Sequence, residues 1–281
     1  MTEPVAVLVC VFGGDRLDWF VAAITSVVGQ DYKGGAIRIY LGVDGPLPYP
    51  MEEWITQNRS VFHKIVRNEV NLGLSKTLNR LVKVLEDEPF VFRMDADDLC
   101  LPYRFSRQIA FFHDNPDVDV LGGAIWEFND SAPVTWKKTY PCDHEAFGQY
   151  IVKANPIAHS TVCFRKCFFA KISAYPETSR YNQDLALWYA ALYKGVKMAN
   201  LDLPILCLRT SDDFFYRRGY TRAASEFRYY LAGIYCLHGV TWRMVFPCLR
   251  FLLRLFPSRL TRMIYGSSLR SRLCRTGNAD S

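Results

Sequence analysis

The first half of the chain alternates short apolar runs with amphipathic helical patterns, and this alternation restricts the fold more than any other feature. The run VAVLVCVF, from Val5 to Phe12, has the length of a buried strand and ends at two glycines. Further apolar runs follow it: IRIYLGV (37–43), KIVR (64–67) and PFVFRM (89–94). Apolar residues at helical spacing lie between the runs, in WFVAAITSVVGQ (19–30) and from Leu74 to Leu85. Strands that alternate with helices predict an α/β sheet.

The second half is less regular. Two further strands and two further helices are predicted there: STVCF (160–164) and PILCLR (204–209) as strands, FSRQIAFF (105–112) and NQDLALWYAALYKG (182–195) as helices. Ligands of an open α/β sheet bind beyond the carboxyl ends of its strands. Phe12, Asp44 and the segment from Asp95 to Asp98 each stand at the end of a predicted strand, so we expect them to lie close together.

Three carboxylates stand within four residues, from Asp95 to Asp98, directly after PFVFRM. Like charges at this spacing disfavour one another's ionisation unless a cation or hydrogen-bond donors compensate. One interpretation is a solvated helix start, where aspartates accept from free backbone N–H groups. A calcium-binding EF-hand loop does not fit, because Leu99, Cys100 and Ser106 stand where an oxygen ligand, a glycine and a glutamate belong.

Two metal-linked interpretations of the acidic turn remain. A phosphatase with an aspartyl nucleophile is disfavoured, because Leu99 occupies the position of a hydroxyl residue or valine in that turn. The other interpretation is a DxD turn, in which a rigid strand end holds carboxylates around a divalent cation that neutralises a nucleotide diphosphate. Oxygen ligands of this kind favour Mg²⁺ or Mn²⁺.

The cysteines and the N-terminus indicate a reducing compartment. Nine cysteines form no CxxC pair and no zinc-type spacing, and several stand in apolar, strand-like runs. The N-terminal segment MTEPVAVLVCVF carries an acid and no basic residue, which favours a core strand over a signal peptide. The chain has no apolar run of about 18 residues, the length of a membrane span. We therefore expect a cytoplasmic protein.

The C-terminal quarter concentrates the positive charge of the chain. Residues 217–281 hold twelve arginines and two acids, a net charge of +10, whereas the whole chain has +6. Nucleic-acid binding, an anionic membrane surface and a solvated helical face all suit such a composition. No nucleic-acid-binding module is recognisable, and the mixture of arginine with Leu, Phe, Tyr and Trp favours an interfacial membrane segment.

The motifs, taken in order across residues 4–210, resemble the family 2 glycosyltransferases of GT-A fold. They are VAVLVCVFGG, AITSVVGQDY, GVDGP, NLGLSKTLN, FRMDADDLCLPYRFSRQ, NPIAHSTVCFRK and NQDLALW. The resemblance implies an α/β fold with a Rossmann-like mixed central sheet flanked by helices, and a helical, basic-amphipathic C-terminal extension. It implies a catalytic domain over residues 1–215, with a nucleotide-binding half at about 1–110 and an acceptor-binding half at 111–215, and a membrane-associated region at 216–281.

The same resemblance assigns residues to a UDP-sugar donor and a metal ion. Asp97, with Asp95, would bind Mn²⁺ or Mg²⁺, while Asp95 also reaches the ribose. The residues expected at the nucleotide-sugar are Val11, Phe12, Asp44, Asn71, Gly73, Leu74, Arg93, Asp95 and Asp98. Phe12 would contact uracil or else be a core aromatic.

On the acceptor side, the resemblance makes Asp184 the general base that takes the proton of the attacking hydroxyl. A helix cap is the other interpretation of Asp184. His159 would lie near the acceptor, or be a satisfied core histidine. Arg217 and Arg218 would bind the lipid diphosphate of the acceptor or the diphosphate of the donor.

The expected reaction is inverting transfer of glucose or galactose, β-linked, from a UDP-sugar to GlcNAc or GalNAc on polyprenyl diphosphate, in O-antigen or capsule synthesis. Within the family, the alternative is transfer to a later sugar of the oligosaccharide. Outside the family, the alternatives are a sugar nucleotidyltransferase and a sugar-binding module. No Q-x-x-R-W motif is present, which disfavours a processive synthase. Gly13 and Gln183 depart from the family pattern. The expected partners are the donor, the lipid-linked acceptor and the inner face of the cell membrane, not nucleic acid.

Overall fold

The computed structural model describes residues 2–130, 132–177, 181–210 and 220–255. The chain divides into two compact units, Met1–Ser211 and Asp212–Ser281. The boundary predicted at residue 215 lies outside the described residues. The first unit contains the sheet and most of the helices, and the second contains two helices among its described residues.

The described strands are β1 (Val5–Phe12), β2 (Ile37–Asp44), β3 (Phe62–Asn68), β4 (Phe90–Met94), β5 (Leu99–Cys100), β6 (Val120–Asn129), β7 (Ala132–Lys138), β8 (Cys163–Arg165) and β9 (Met198–Arg209). The helices are α1 (Leu17–Val28), α2 (Tyr49–Gln57), α3 (Leu74–Val82), α4 (Arg104–Asp114), α5 (His144–Tyr150), α6 (Phe168–Ile172), α7 (Gln183–Tyr193), α8 (Tyr220–His238) and α9 (Val245–Leu255). Within these residues, no helix is long and apolar enough to cross a membrane.

The strands form one mixed sheet in the order β3-β2-β1-β4-β8-β6-β9-β5, with β7 paired to β6. The first four strands in this order are parallel, so their carboxyl ends share one edge. Strand β8 runs antiparallel to both β4 and β6. The residues that precede β8 therefore lie beside the end of β4, where the acidic turn begins.

Strand β1 is buried on both faces, which explains its continuous apolar run. Val5, Val7 and Val9 face the core cluster that includes Phe20 of α1. On the other face, a Cβ added at Gly42 would come within 3.3 Å of side chains of α3, so this helix covers the sheet closely. The α/β sheet predicted from the alternating pattern is confirmed.

Several boundaries differ from the sequence pattern for local reasons. The stripe predicted to Leu85 ends with α3 at Val82. Of the predicted strand STVCF, residues 159–161 form a 3₁₀ turn, and β8 covers only Cys163–Arg165. Strands β6 and β7 were not predicted. In β6, the pair Gly122-Gly123 breaks the apolar run, and the close approach of Ile157 and Ile205 requires small residues there.

Candidate active site

The carboxylate of Asp44, at the end of β2, holds the turn that leads into α3. Its Oδ1 accepts from Asn68 Nδ2 at 2.9 Å and from the backbone N–H of Leu72 at 2.8 Å, and its Oδ2 accepts from the Gly73 N–H at 2.9 Å. A carboxylate has about four acceptor positions. Three are used within the protein, so Asp44 keeps about one position for a nucleotide.

Two glycines permit this turn. Gly45 and Gly73 both have φ +90°, a conformation that side-chain-bearing residues rarely adopt. A Cβ at Gly45 would also stand 2.7 Å from the backbone nitrogen of Asn71, whose side-chain amide reaches the Asp44 carbonyl oxygen at 3.4 Å. Leu74 follows as the first residue of α3. The structure therefore brings together four residues of the predicted nucleotide group: Asp44, Asn71, Gly73 and Leu74.

Phe12 is the neighbour of Asp44 in the β1–β2 pairing, and its side chain is 44% exposed. This exposure does not fit an ordinary core aromatic and offers a face on which a base can stack. A Cβ at Gly14 would lie 2.5 Å from the Phe12 ring, so the loop passes close beneath it. Val11, in contrast, is buried, and only its backbone is near the edge.

The acidic turn follows β4 at the same edge of the sheet. Oxygen atoms of Asp95, Asp97 and Asp98 lie within 4.8 Å of one another. The guanidinium of Arg93, itself buried, donates through both terminal nitrogens to the two carboxylate oxygens of Asp95. Arg93 thus offsets one of the three charges, as predicted, and leaves Asp97 and Asp98 without a cation of equal closeness among the described residues.

The electrostatics of the turn suit a divalent cation. Burial, with the neighbouring Asp95 charge, raises the pKa of Asp97 to about 6. Burial, with the charges of Asp95 and Asp97, raises the pKa of Asp98 to about 8. A cation among these hard oxygen donors would reverse both shifts, because it favours the charged form of each carboxylate. The residues present therefore fit Mg²⁺ or Mn²⁺.

Arg209, the last residue of β9, supports the acidic turn and was not predicted as a site residue. Its backbone N–H donates to Asp98 Oδ1 and its Nε donates to the Asp97 carbonyl oxygen, both at 2.9 Å. The guanidinium pairs with Asp130 and lies over the ring of Trp19, with 4.8 Å to the centroid. The sequence feature that could have indicated Arg209 as a site residue is its position at the end of the predicted strand PILCLR.

Asp184 lies in the first turn of α7, which starts after Asn182 in a left-handed conformation, φ 57°. Its Oδ2 accepts from Asn155 Nδ2 at 2.5 Å. Burial raises the pKa of Asp184, and the Leu185 N–H, the Asn155 amide and the Arg93 charge partly offset this rise. A carboxylate with a raised pKa is a stronger proton acceptor than an ordinary surface aspartate.

His159 stands in the 3₁₀ turn before β8, close to the end of β4. Its ring nitrogen lies 3.3 Å from the Tyr175 hydroxyl. Burial and the positive charge of Arg93 hold the pKa of His159 well below its usual range, so the imidazole is neutral. The positive charge of Arg93 thus acts on the pKa of both His159 and Asp184 while the guanidinium binds Asp95. Arg217 and Arg218 lie outside the described residues.

A mixed α/β sheet with an acidic turn at its carboxyl edge, together with the buried carboxylate of Asp184, is the kind of arrangement found in an enzyme active site. The chain belongs to the family described as "Glycosyl transferase family 2", whose model matches residues 6–175. The enzyme is therefore a glycosyltransferase, as the motifs indicated.

Relatives cover most of the chain. An uncharacterized glycosyltransferase from Haemophilus influenzae is 30% identical over 87% of this chain and 91% of its own length. The amylovoran biosynthesis glycosyltransferase AmsE of Erwinia amylovora is 30% identical over 82% of this chain and 86% of its own. An Escherichia coli relative, UDP-Gal:alpha-D-GlcNAc-diphosphoundecaprenol beta-1,3-galactosyltransferase, is 27% identical over 72% of this chain and 74% of its own.

Among solved structures, residues 1–349 of S. aureus TarS in complex with UDP are similar, with a TM-score of 0.63 and 17% identity over 91% of this chain and 71% of that TarS chain. This likeness shows the fold, a mixed sheet flanked by helices. The helical character predicted for the C-terminal extension is described up to residue 255.

Proposed function

We propose that this enzyme transfers glucose or galactose from a UDP-sugar, with inversion, to N-acetylhexosamine on polyprenyl diphosphate during the synthesis of a bacterial surface polysaccharide. The observation that carries the proposal is the shared edge of the sheet. Arg93 binds the acidic turn there through Asp95, and its backbone N–H donates to the Val162 carbonyl oxygen, which follows directly on the 3₁₀ turn of His159. The positive charge of Arg93 also acts on Asp184, so the donor diphosphate and the acceptor hydroxyl would meet at one place.

The donor half rests on the turn around Asp44. The half-exposed Phe12 is paired with Asp44 in the register of β1 and β2, which suits a base that both stacks and donates a hydrogen bond, as uracil does. The E. coli relative is named for a UDP-galactose donor. Both observations support a uridine nucleotide.

A metal ion would be held by Asp97 with Asp95, and Asp98 would support them through its bond to Arg209. When bound, the ion would neutralise negative charge on the departing diphosphate. The chain's own contribution is the fixed strand end that places these oxygens together.

Asp184 would serve as the general base. The acceptor hydroxyl oxygen forms a bond to the anomeric carbon, the bond from that carbon to the diphosphate oxygen breaks, and UDP leaves with its electrons. The hydroxyl proton passes to a carboxylate oxygen of Asp184. Attack opposite to the leaving group inverts the anomeric centre, and the raised pKa of Asp184 favours the proton transfer.

Two substitutions test the reaction. Asp97→Ala and Asp184→Ala should each lower the rate of UDP release by at least about 100-fold with UDP-Glc or UDP-Gal, Mn²⁺ and a synthetic polyprenyl-diphosphate GlcNAc. Asp117→Ala is the matched control, because Asp117 is exposed and pairs only with Lys197 among its described neighbours. Full activity in either site variant removes the role assigned to that residue, and pyrophosphate release in place of UDP release indicates a nucleotidyltransferase.

The acceptor half of the proposal includes attachment of the C-terminal region to the cytoplasmic face of an anionic membrane. Helix α9 packs against α8 on one side, where the Phe251 ring stacks on Phe227 at 4.9 Å. Val245, Leu249 and Leu252 share the opposite side and are 51–53% exposed. Their spacing places them on one helix face.

Charge supports a lipid surface as the partner of this apolar face. Residues 217–281 have a net charge of +10, and Glu226, one of their two acids, is paired with Arg250 at 2.8 Å. Like-charged copies of the chain would repel one another, whereas anionic headgroups attract arginine. Leu249→Asp should weaken co-sedimentation with phosphatidylglycerol vesicles, and Val28→Asp, at a residue 57% exposed on α1, should not. Equal sedimentation of both variants contradicts the membrane role.

A further inference from the structure

The side-chain amide of Asn155 donates a hydrogen bond to the Asp184 carboxylate. Its Nδ2 lies 2.5 Å from Asp184 Oδ2. The other end of the amide has a separate partner, because the backbone N–H of Ile157 reaches Asn155 Oδ1 at 3.4 Å. These two contacts fix which end of the amide faces the carboxylate: the end that carries N–H donors. The Oδ2 atom of Asp184 is thereby engaged by Asn155.

The loop that carries Asn155 is anchored immediately beyond it. Asn200 is buried and donates to the Pro156 carbonyl oxygen at 3.0 Å. Thr161, at the end of the following 3₁₀ turn, donates to the Ala158 carbonyl oxygen at 2.7 Å. A donor on an anchored loop restricts the rotation of its partner more than a donor on a mobile side chain does.

We propose that Asn155 is a positioning residue, which holds the Asp184 carboxylate in the orientation needed to accept the proton of the attacking hydroxyl. The inference rests on the proposed function of Asp184 as the general base. Asn155 itself exchanges no proton: it donates to Oδ2 throughout, and the proton of the acceptor hydroxyl passes to the same carboxylate.

The electrostatic surroundings of Asp184 predict that loss of Asn155 changes the pH dependence of the reaction as well as its rate. The titratable groups that interact electrostatically with this carboxylate include Arg93, Tyr140 and Tyr175, while Asn155 contacts it directly. Burial raises the pKa of Asp184, whereas the Asn155 amide opposes the rise, because a donor stabilises the charged form. Loss of the amide should therefore raise the pKa further, and the carboxylate should become active as a base only at higher pH.

Two variants at this position separate orientation from charge. Asn155→Ala removes the donor, and we expect kcat to fall about 10- to 100-fold, the range of a hydrogen bond to a charged group. KM for the UDP-sugar should stay unchanged. Asn155→Asp keeps the size of the side chain but places a second carboxylate against Asp184. The acidic limb of the pH–kcat profile should move to higher pH in Asn155→Ala, and further in Asn155→Asp, because like charges disfavour ionisation.

Asn115→Ala is the matched control, since Asn115 is a half-buried asparagine that donates one hydrogen bond, to Phe111, at the end of α4. It should leave kcat and the profile unchanged. Thermal melting of every variant distinguishes misfolding from loss of function, and the isosteric Asn155→Asp supplies the pH test if Asn155→Ala does not fold. Unchanged kcat and acidic limb in the Asn155 variants, with Asp184→Ala inactive, overturn the inference alone. An active Asp184→Ala overturns the proposed function instead.

Discussion

Asp44→Ala should destabilise the protein and weaken nucleotide binding together, because the carboxylate holds the turn rather than standing alone at the surface. The substitution removes three hydrogen bonds to one charged group, from Asn68, Leu72 and Gly73. Asn68 Nδ2 keeps a second acceptor, Thr77 Oγ1 at 2.8 Å, so the loss of its hydrogen bond to Asp44 costs little stability.

The two backbone donors determine the magnitude. A hydrogen bond to a charged group contributes about 1.5–3 kcal/mol. Leu72 is 37% exposed, so water can reach the turn and the low end of that range applies. Two bonds then give about 3 kcal/mol, which lowers the melting temperature by about 6–12 °C for a protein of this size.

Urea unfolding followed by tryptophan fluorescence measures the first effect, and titration calorimetry with UDP measures the second. We expect UDP affinity to fall at least about tenfold, since residues 71–74 lose their fixed geometry. Asp44→Asn should be intermediate in stability, because its amide oxygen can still accept from two donors. Asp202→Ala, at an exposed carboxylate, is the control. Lost UDP affinity with unchanged unfolding would refute the reasoning and make Asp44 a direct nucleotide ligand only.

Three further substitutions test other parts of the fold. Gly73→Ala should lower the unfolding free energy by about 1–2 kcal/mol, because alanine would have to adopt the φ of +90° found at Gly73. Gly45→Ala should lower the unfolding free energy more, because the new Cβ would also stand 2.7 Å from the backbone nitrogen of Asn71. Equal effects of the two substitutions in urea unfolding would contradict this order. Arg104→Met should lower the unfolding free energy by about 1.5–3 kcal/mol, since the Arg93 carbonyl oxygen loses a buried, charged donor at 2.9 Å, and an unchanged melting temperature would show that this oxygen finds another partner. Hydrogen bonds from Tyr40 and Arg38 lower the pKa of Glu88, although burial opposes this shift. The ionised Glu88 therefore contributes stability above its unfolded pKa of 4.5, and this contribution is lost as pH falls through the lower pKa of the folded state. The stability difference between wild type and Glu88→Gln should shrink below about pH 4.5, and a constant difference from pH 7 to pH 3 would refute this prediction.

The sequence predicted the parallel half of the sheet well, because its strands are buried on both faces and consist of continuous apolar runs. It also predicted the acidic turn, since the three aspartates are adjacent in the chain. Strands β6 and β7 were missed. Helix α2 was also missed, because only Met51 and Ile55 are buried on it, too few apolar residues to give a periodic stripe.

The residues that sequence reasoning missed at the site share a different property: each acts through a partner far along the chain. Arg209 donates to Asp98, 111 residues earlier, and Asn155 donates to Asp184, 29 residues later. A lone arginine at a strand end or a lone asparagine in a loop carries no spacing rule that would identify it. Only the pairing of strands brings such donors to their carboxylates.

The antiparallel direction of strand β8 brings the residues that precede it to the end of β4, where the acidic turn begins. A parallel strand beside β4 would place the residues that precede it at the opposite edge of the sheet, away from the acidic turn. Because β8 runs the other way, the Arg93 N–H donates to the Val162 carbonyl oxygen at 2.9 Å, and His159 stands next to the end of β4. Reversal of one strand thus puts the loop with Asn155 and His159, the proposed acceptor side, at the carboxyl edge where the proposed nucleotide side lies. Substitutions in this loop should therefore change kcat and its pH dependence, while substitutions in the turn after β2 should change UDP affinity. A loop variant that alters UDP affinity alone would contradict this division of the site.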